Sequence, residues 1–224
     1  MNILVVAAHP DDEMLGCGGT IARHTRVGDQ VHILILAEGA TSRDPQRFVA
    51  KRQEEMSALA TAAQQARQIV GAHSTQLHDF PDNRLDHCDR LDVVKVVEQK
   101  IDQIQPELIY THHGGDLNID HQYAYQAVIT AARPLPRGVV KTILCFEVAS
   151  STEWQVPPSF LPNWYVDITE TLDTKLAALV AYHMEMREFP HARSIDTIEH
   201  LARWRGANVG VAAAEAFMLA RHII

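Results

Sequence analysis

Two groups of histidine and acidic side chains have the composition of a metal site. The first consists of His9, Asp11, Asp12 and Glu13, which come directly after the apolar run Ile-Leu-Val-Val-Ala at 3–7. The second lies within the segment Thr-His-His-Gly-Gly-Asp-Leu-Asn-Ile-Asp-His at 111–121, which also follows an apolar run. Clustered carboxylates at the end of a buried strand cost stability unless a cation neutralises them. The two groups therefore predict a bound cation.

The residue types also indicate which side chains bind the cation. Catalytic zinc sites use three protein ligands and keep one position open, and two histidines with one carboxylate are a common set. His9, Asp12 and His121 provide this set, and Fe²⁺ or Co²⁺ accept the same ligands. Asp11 is then free to act as a general base toward an attacking water.

A structural interpretation of the same residues stays open. Acidic side chains are favoured at a helix N-terminus by the helix dipole, which accounts for acids just before Met14. In the second group, loop and N-cap positions are the alternative for Asp116, Asn118 and Asp120. For Asp120, a cap and a contact to a metal ligand are compatible.

The elements that position these groups alternate along the chain. Hydrophobic periodicity predicts strands at 3–8, 31–37, 75–78, 107–111, 139–146 and 164–168. It predicts helices at 14–26, 48–70, 89–104, 120–132, 172–186, 195–204 and 209–220. We therefore expect an α/β fold, a Rossmann-like doubly wound, mostly parallel sheet with helices on both faces, in a single domain spanning 1–224. Both polar groups would then meet at the carboxyl edge of that sheet.

Composition narrows the function classes. The formal net charge of −8 argues against a nucleic-acid-binding protein, because phosphate contacts need a basic surface. The cysteines, Cys17, Cys88 and Cys145, are widely spaced, which predicts free thiols in a reducing compartment. We expect no signal peptide and no membrane span, and hence a cytoplasmic protein.

The two motifs resemble those of a known family. Ala-His-Pro-Asp-Asp-Glu at 8–13, with Gly-Asp-Leu-Asn-Ile-Asp-His at 115–121, is similar to the PIG-L/LmbE family of metal-dependent N-deacetylases. That family removes acetyl groups from N-acetylglucosamine-type sugars. The resemblance implies that His9, Asp12 and His121 bind Zn²⁺ and that Asp11 is the general base. It further implies a small N-acetyl sugar as substrate and association into a homo-oligomer.

One position departs from the family pattern. In members with a His-Pro-Asp-His motif, the first histidine stabilises the oxyanion or protonates the leaving amine. This chain has Asn118 there, which donates a hydrogen bond but supplies no proton at neutral pH. Asn118 remains a candidate catalytic residue, and His113 is the candidate acid. The alternatives are His112, His191, or stabilisation of the oxyanion by the metal alone.

Substrate-binding candidates lie in four further segments. Arg43 and Arg52 are candidates for contacts to sugar or phosphate oxygens, Asp82 and Asn83 for contacts to sugar hydroxyls, and His191 for closing the pocket from the C-terminal segment. Each has an alternative interpretation. Asp82 and Asn83 are also typical turn residues, Arg52 is equally a salt-bridge partner on a helix, and His191 is equally a surface histidine.

Three other features are interpreted structurally. Gly16-Cys17-Gly18-Gly19 lacks dinucleotide-loop spacing, so we expect it to permit close packing of the first helix, with Cys17 buried. For Trp154, Trp164 and Trp204 we favour packing in the core or at a subunit interface over stacking against sugars. The proline-rich segment 150–162 is a candidate mobile flap or contact surface.

The sequence thus predicts an enzyme of the hydrolase class, a zinc-dependent N-deacetylase. Two alternatives stay open. One is a nucleotide- or sugar-binding module without catalysis, which the Rossmann-like pattern and the missing histidine at Asn118 favour. The other is an amidohydrolase that acts on a thiol-sugar conjugate or on a non-sugar amide, with the same metal chemistry and a different pocket.

Overall fold

The computed structural model describes residues 1–136 and 138–224, in which strands and helices alternate. The strands are β1 (Asn2–Ala7), β2 (Gln30–Ala37), β3 (Ser74–Phe80), β4 (Leu108–His112), β5 (Thr142–Phe146), β6 (Trp164–Asp167) and β7 (Ala214–His222). The α-helices are α1 (Asp12–Arg26), α2 (Val49–Val70), α3 (Arg90–Ile104), α4 (Ile119–Ala131), α5 (Leu172–Ala181) and α6 (Ile195–Ala207). Short 3₁₀ turns lie at Thr41–Arg43, Leu85–His87 and Thr152–Trp154.

All seven strands form one sheet, in the order β3-β2-β1-β4-β5-β7-β6. The pairs among β1 to β5 are parallel, and β7 runs antiparallel to both β5 and β6. Because β1 lies beside β4, the loops that follow these two strands emerge next to each other. The predicted mostly parallel, doubly wound sheet is confirmed.

Alternation along β1 builds a core on each face of the sheet. Ile3 and Val5 pack into a cluster with side chains of α1, α2 and α5. Leu4 and Val6 pack into the opposite cluster with side chains of α3 and α4. A strand buried on both faces needs an unbroken apolar sequence, which is what this segment provides.

The sequence interpretation was wrong for the C-terminal segment. We expected a helix over 209–220, because Ala-Ala-Ala-Glu-Ala and Met-Leu-Ala favour helices. The structure instead places β7 between β5 and β6, where pairing on both sides outweighs local propensity. Position 206 of α6 requires glycine, because a Cβ there would lie 2.8 Å from Cα of Ala213, the residue just before β7. Helix α5 also ends at Ala181, earlier than the predicted 186.

The glycine-rich start of α1 packs as predicted. A Cβ on Gly16 would lie 2.3 Å from the Phe146 ring of β5, so only glycine allows this close approach. Cys17 is fully buried, and its backbone is non-helical (φ −147°, ψ 23°), which marks a kink in the helix. The kink therefore gives the first turn of α1, which carries Asp12 and Glu13, a direction different from that of the rest of the helix.

A buried ion pair satisfies the backbone groups at this kink. Lys175 Nζ donates to the carbonyl of Leu15 and to Glu215 Oε1 of β7. The Glu215 carboxylate also accepts hydrogen bonds from the backbone N–H groups of Gly19 and Thr20, at 3.0 and 2.6 Å. The kink thus leaves none of these three backbone groups unpaired.

The tryptophans lie outside the core. Trp154, Trp164 and Trp204 are 51%, 37% and 65% exposed, so none of them packs in the core, and packing at a subunit interface stays a prediction. Cys17, Cys88 and Cys145 are free thiols, as predicted. Among the described residues, no helix combines the length and apolar character needed to cross a membrane.

Candidate metal centre and active site

The two histidine-acid groups meet at the carboxyl edge of the sheet. The β1–α1 loop carries His9 and Asp11, and Asp12 opens α1. His112 ends β4, and His121 lies in the first turn of α4. One potential ligand atom from each of His9, Asp12 and His121 lies within 4.8 Å of the other two. Adjacent parallel strands therefore bring together side chains that are more than a hundred positions apart in the sequence.

Asp12 is the centre of this cluster. Its Oδ2 lies 3.3 Å from Nδ1 of His9 and 3.3 Å from Nε2 of His121. Asp12 Oδ1 and His121 Nε2 are both buried without a hydrogen-bond partner. Unpaired buried polar atoms of this kind are costly, and a divalent cation would satisfy both. The donor set therefore fits a metal ion.

The outer nitrogen of each histidine contacts a carboxylate. His9 Nε2 lies 3.0 Å from Oδ2 of Asp120 and 3.3 Å from Oδ1 of Asp82. His121 Nδ1 lies 3.1 Å from Oδ1 of Asp116. Carboxylates in this position orient metal-binding histidines and strengthen them as ligands. This arrangement leaves His9 Nδ1 and His121 Nε2 facing Asp12.

A second group, His9 with Asp82 and Asp120, has metal-like spacing as well. Its oxygens already have partners, however. Asp120 Oδ1 accepts from the N–H of Leu85, and Asp82 Oδ2 accepts from the N–H of Ser42. Because only the Asp12 group contains unpaired ligand atoms, we assign the cation to Asp12 and the orienting role to Asp82 and Asp120.

The charges of the cluster are strongly coupled. Burial alone lowers the pKa of His9, but hydrogen bonds to Asp12 and Asp120 outweigh it and raise the pKa well above its usual value. Burial lowers the pKa of His121, but the charges of Asp12 and Asp116 and the hydrogen bonds to them together outweigh it and raise the pKa. Burial raises the pKa of Asp12, yet the contacts with His121 and His9 hold it well below the ordinary range.

Asp11 has the geometry of a positioned base. Its backbone is in the left-handed region at φ 107°, a strained conformation for a residue with a side chain. Glu13 Oε2 accepts from the Asp11 N–H at 3.1 Å, and Arg193 Nη1 donates to Asp11 Oδ2 at 2.7 Å. Asp11 Oδ1 is buried and has no partner. Burial raises the pKa of Asp11 to about 7, although Arg193 opposes this.

Asn118 and two of the candidate acids, His112 and His113, are engaged elsewhere. Asn118 is the N-cap of α4: its Oδ1 accepts from the Asp120 N–H, and its Nδ2 donates to Oδ1 of Asn83. His112 Nε2 accepts from the N–H of Ala8 at 2.8 Å, and burial lowers its pKa well below the usual value. His113 Nε2 lies 2.9 Å from the Ser159 hydroxyl, and burial lowers its pKa as well. None of these contacts directs a proton toward Asp12.

The predicted substrate-binding residues divide into two groups. Arg52 pairs with Asp44 and Glu55 on α2, which is the salt-bridge alternative considered for it. The Asp82 carboxylate is buried against His9, as described above, and is not free for a sugar hydroxyl. By contrast, Arg43, Asn83 and His191 belong to the loops at the carboxyl edge.

These three have specific neighbours. Arg43 forms ion pairs with Glu55 and Glu185. Asn83, at φ 52°, donates to Ser42 and Asp82, so the turn interpretation also holds. The exposed His191 ring meets the Trp154 ring edge-on, with centroids 6.3 Å apart.

Sequence reasoning missed the roles of Arg193 and Asp116. Arg193 lies between α5 and α6, in the segment Pro-His-Ala-Arg at 190–193 that also resembles the family, but only His191 was a candidate there. Arg193 reaches back to Asp11. Asp116 lies within the second group, but we considered it only as a loop residue. The hydroxyls of Ser151 and Thr152 donate to it, so the beginning of the 150–162 segment is bound to the site.

Together, the fold and the site define a class: an α/β protein of Rossmann-like topology with a buried candidate cation site of two histidines and one carboxylate, beside a second buried carboxylate. The sequence matches the PIG-L family, described as GlcNAc-PI de-N-acetylase, over residues 4–132. It is 33% identical to the uncharacterized deacetylase YaiS of Escherichia coli over 184 residues, which cover 80% of this chain and 88% of YaiS. The chain belongs to the PIG-L family.

Solved structures show the same fold. N,N'-diacetylchitobiose deacetylase from Pyrococcus horikoshii superposes with a TM-score of 0.77 at 18% identity, over 98% of this chain and 84% of that one. GalB, the 4-carboxy-2-hydroxymuconate hydratase of Pseudomonas putida, has the same TM-score at 25% identity, over 100% and 97% of the two chains. The fold is therefore compatible with more than one reaction that adds water to a substrate.

Proposed function

We propose that the protein is a zinc-dependent hydrolase that removes the N-acetyl group from an N-acetylglucosamine-type sugar or sugar conjugate. One observation carries the proposal: Asp11 Oδ1, Asp12 Oδ1 and His121 Nε2 are buried and unpaired in a single cluster whose histidines are oriented by carboxylates. Membership of a de-N-acetylase family supports the amide as the bond that is cleaved.

His9, Asp12 and His121 would hold the metal. When bound, it would lower the pKa of water and polarise the acetyl carbonyl. Asp11 Oδ1 is the only unpaired oxygen on the Asp11 carboxylate, so it takes the proton of the attacking water. The pKa of about 7 is well suited to a base at neutral pH, although a neighbouring cation would lower it.

The same carboxyl group is the proposed source of the proton for the leaving amine. Asn118 is occupied as an N-cap, and His112 and His113 are turned toward Ala8 and Ser159. Asp11, having taken a proton from water, is therefore the best-placed donor for the departing nitrogen. The products are acetate and a free amine. Asn118 Nδ2 has a second hydrogen that can bind a substrate oxygen.

Three loops supply the proposed substrate contacts. Asn83 and Asn118 present amide groups on one side, Arg43 is partly exposed, and His191 lies beside Trp154 on a third loop. Trp154 is half-exposed, and its ring meets the His191 ring edge-on. Such an aromatic pair is suited to contact with the apolar face of a sugar ring. We no longer assign Arg52 or Asp82 to direct substrate contacts.

A second candidate reaction is hydration of an unsaturated acid, since GalB is the solved structure discussed above with the higher identity. One screen separates these possibilities. The Zn²⁺-loaded protein is incubated with N-acetylglucosamine derivatives, non-sugar N-acetyl amides and unsaturated polycarboxylic acids. Acetate and amine are measured for the amides, and loss of the unsaturated acid is measured for hydration. We expect equal amounts of acetate and amine from a sugar substrate. Turnover of only the unsaturated acids, or only the non-sugar amides, would replace the proposal.

A further inference from the structure

The guanidinium group of Arg193 is the feature at the site that the proposed chemistry leaves unexplained. Its Nη1 donates to Asp11 Oδ2 at 2.7 Å, while Asp11 Oδ1 has no partner. The two carboxylate oxygens are thus distinguished by a single contact. An ion pair that served folding alone would not need to leave the second oxygen of a buried carboxylate unsatisfied.

Arg193 is itself held from three sides. Its Nε donates to the hydroxyl of Ser150 at 2.7 Å, and its Nη1 lies 4.0 Å from Oε2 of Glu185. The next residue, Ser194, is the N-cap of α6, since its hydroxyl accepts from the N–H of Thr197. The backbone and the guanidinium group are therefore both fixed before any substrate arrives.

The acceptor side is equally constrained. Asp11 has a strained backbone at φ 107°, and Glu13 holds its N–H. Tyr182 in turn donates to Glu13 Oε1 at 2.6 Å. Because both the main chain of Asp11 and its Oδ2 are held, the orientation of Oδ1 is fixed as well.

We propose that Arg193 is the positioning residue of Asp11: it holds Oδ2 so that Oδ1 alone is presented to the attacking water. The inference rests on the proposed function for its chemistry. Arg193 lies outside the residues 4–132 that match the family, and the segment between α5 and α6 supplies it. This segment therefore supplies the residue that orients the proposed general base, and it supplies none of the proposed metal ligands.

The test compares R193A, R193K and S150A with the control R203A, which removes an exposed arginine from an ion pair with Glu199 on α6. We expect R193A to lower kcat about a hundredfold, because misplacing a reacting group by about 1 Å costs that much. KM and zinc content should stay within a factor of about three of the wild type. S150A removes only the hydroxyl that accepts from Arg193 Nε, and R193K keeps one donor at this position. Both variants should therefore lose less of kcat than R193A does.

Added guanidinium at low millimolar concentration should restore R193A at least tenfold and leave D11A unchanged. A structural role for Arg193 would not respond to a free guanidinium ion. Equal kcat values for R193A and R203A, loss confined to KM, or rescue of D11A as well would each overturn the proposal.

A measurement that needs no turnover separates this inference from the proposed function. A double-mutant cycle of D11N and R193A, read from urea unfolding of the metal-free protein, should show coupling of about tenfold in the unfolding equilibrium constant. Coupling below twofold would overturn the anchoring of Asp11, whatever the reaction. Coupling of the expected size without acetate release from the wild type would refute the proposed deacetylation and leave the anchoring in place.

Discussion

At the scale of single residues, the orientation of the ligand histidines depends on carboxylates that do not touch the metal position. Asp116 illustrates this best. The Asp116 carboxylate faces His121 Nδ1 and accepts hydrogen bonds from the hydroxyls of Ser151 and Thr152. Its position is therefore fixed by contacts with α4 and with the 150–162 segment. Burial raises its pKa, but His121 and the two hydroxyls lower the pKa to about 2. Asp116 is therefore charged at neutral pH.

Replacing Asp116 should weaken metal binding. D116N keeps the shape of the side chain but removes the charge that orients His121, and such changes cost about 10–100-fold in metal affinity. Competition with a zinc chelator measures the affinity. D102N, which removes an exposed carboxylate on α3, is the matched control and should bind as the wild type does. Equal affinity in both variants would contradict the orienting role.

Metal binding should also depend on pH through His9 and His121. A raised pKa favours the protonated form of each ring, whereas a metal ligand must be neutral. Binding therefore releases protons, and the affinity falls as the pH is lowered. Calorimetry in buffers of different ionisation enthalpy should show about one to two protons released per ion near pH 7. No release, with pH-independent affinity, would show that the histidines are not the ligands.

At the scale of secondary-structure elements, the kink in α1 connects the core to the site. The first turn carries Asp12, and the second segment packs against α5 and β7. The buried pair Lys175 and Glu215 satisfies Leu15 O and the N–H groups of Gly19 and Thr20 across the kink. Removing one partner would leave the other charged, buried and unpaired.

E215A should therefore be severely destabilising. We expect a loss of about 3–5 kcal/mol in the free energy of unfolding, the range for breaking a buried pair by removing one partner. E199A breaks the exposed pair with Arg203 and should cost less than about 1 kcal/mol. Urea unfolding of both variants measures the difference. The double variant K175M/E215A should regain part of the loss, and a mild effect of E215A would contradict the importance of this pair.

The elements themselves were predictable to different degrees. The apolar β1 and the helix α2, closed by Gly71 at φ 75°, carry strong local signals, and both ends agree with prediction to within one residue. β7 carries no such signal, since its alanines and Glu215 favour a helix locally. Its strand conformation is decided by partners that are remote in sequence, Phe146 and Trp164 among them.

At the scale of the whole molecule, the site could be predicted as far as its motifs extend. His9, Asp12 and His121 are close in space because β1 and β4 are neighbours. The alternating pattern predicts that both loops emerge at the same edge of the sheet, but it does not predict this strand order. Arg193 could not be found this way. Its contact with Asp11 joins residues 182 positions apart. The turning of His113 toward Ser159 likewise depends on the 150–162 segment.

A sizeable cavity lies away from this site. A cavity of about 600 Å³ lies near the opposite edge of the sheet, among Leu108, Tyr110 and Trp164. Volume alone would place a ligand there. The buried unpaired atoms, the strained backbone of Asp11 and the shifted pKa values all lie instead at the carboxyl edge, and such groups are the stronger indication of chemistry.

The most direct test separates metal binding from proton transfer. D11A is compared with the wild type for zinc content by elemental analysis and for acetate release from the sugar substrate found in the screen. The account predicts that D11A retains a full complement of zinc and loses at least about a thousandfold in kcat, since a general base contributes about 10²–10⁴-fold and Asp11 is assigned both proton transfers. Acetate release by D11A at a rate near that of the wild type, with zinc bound, would contradict it.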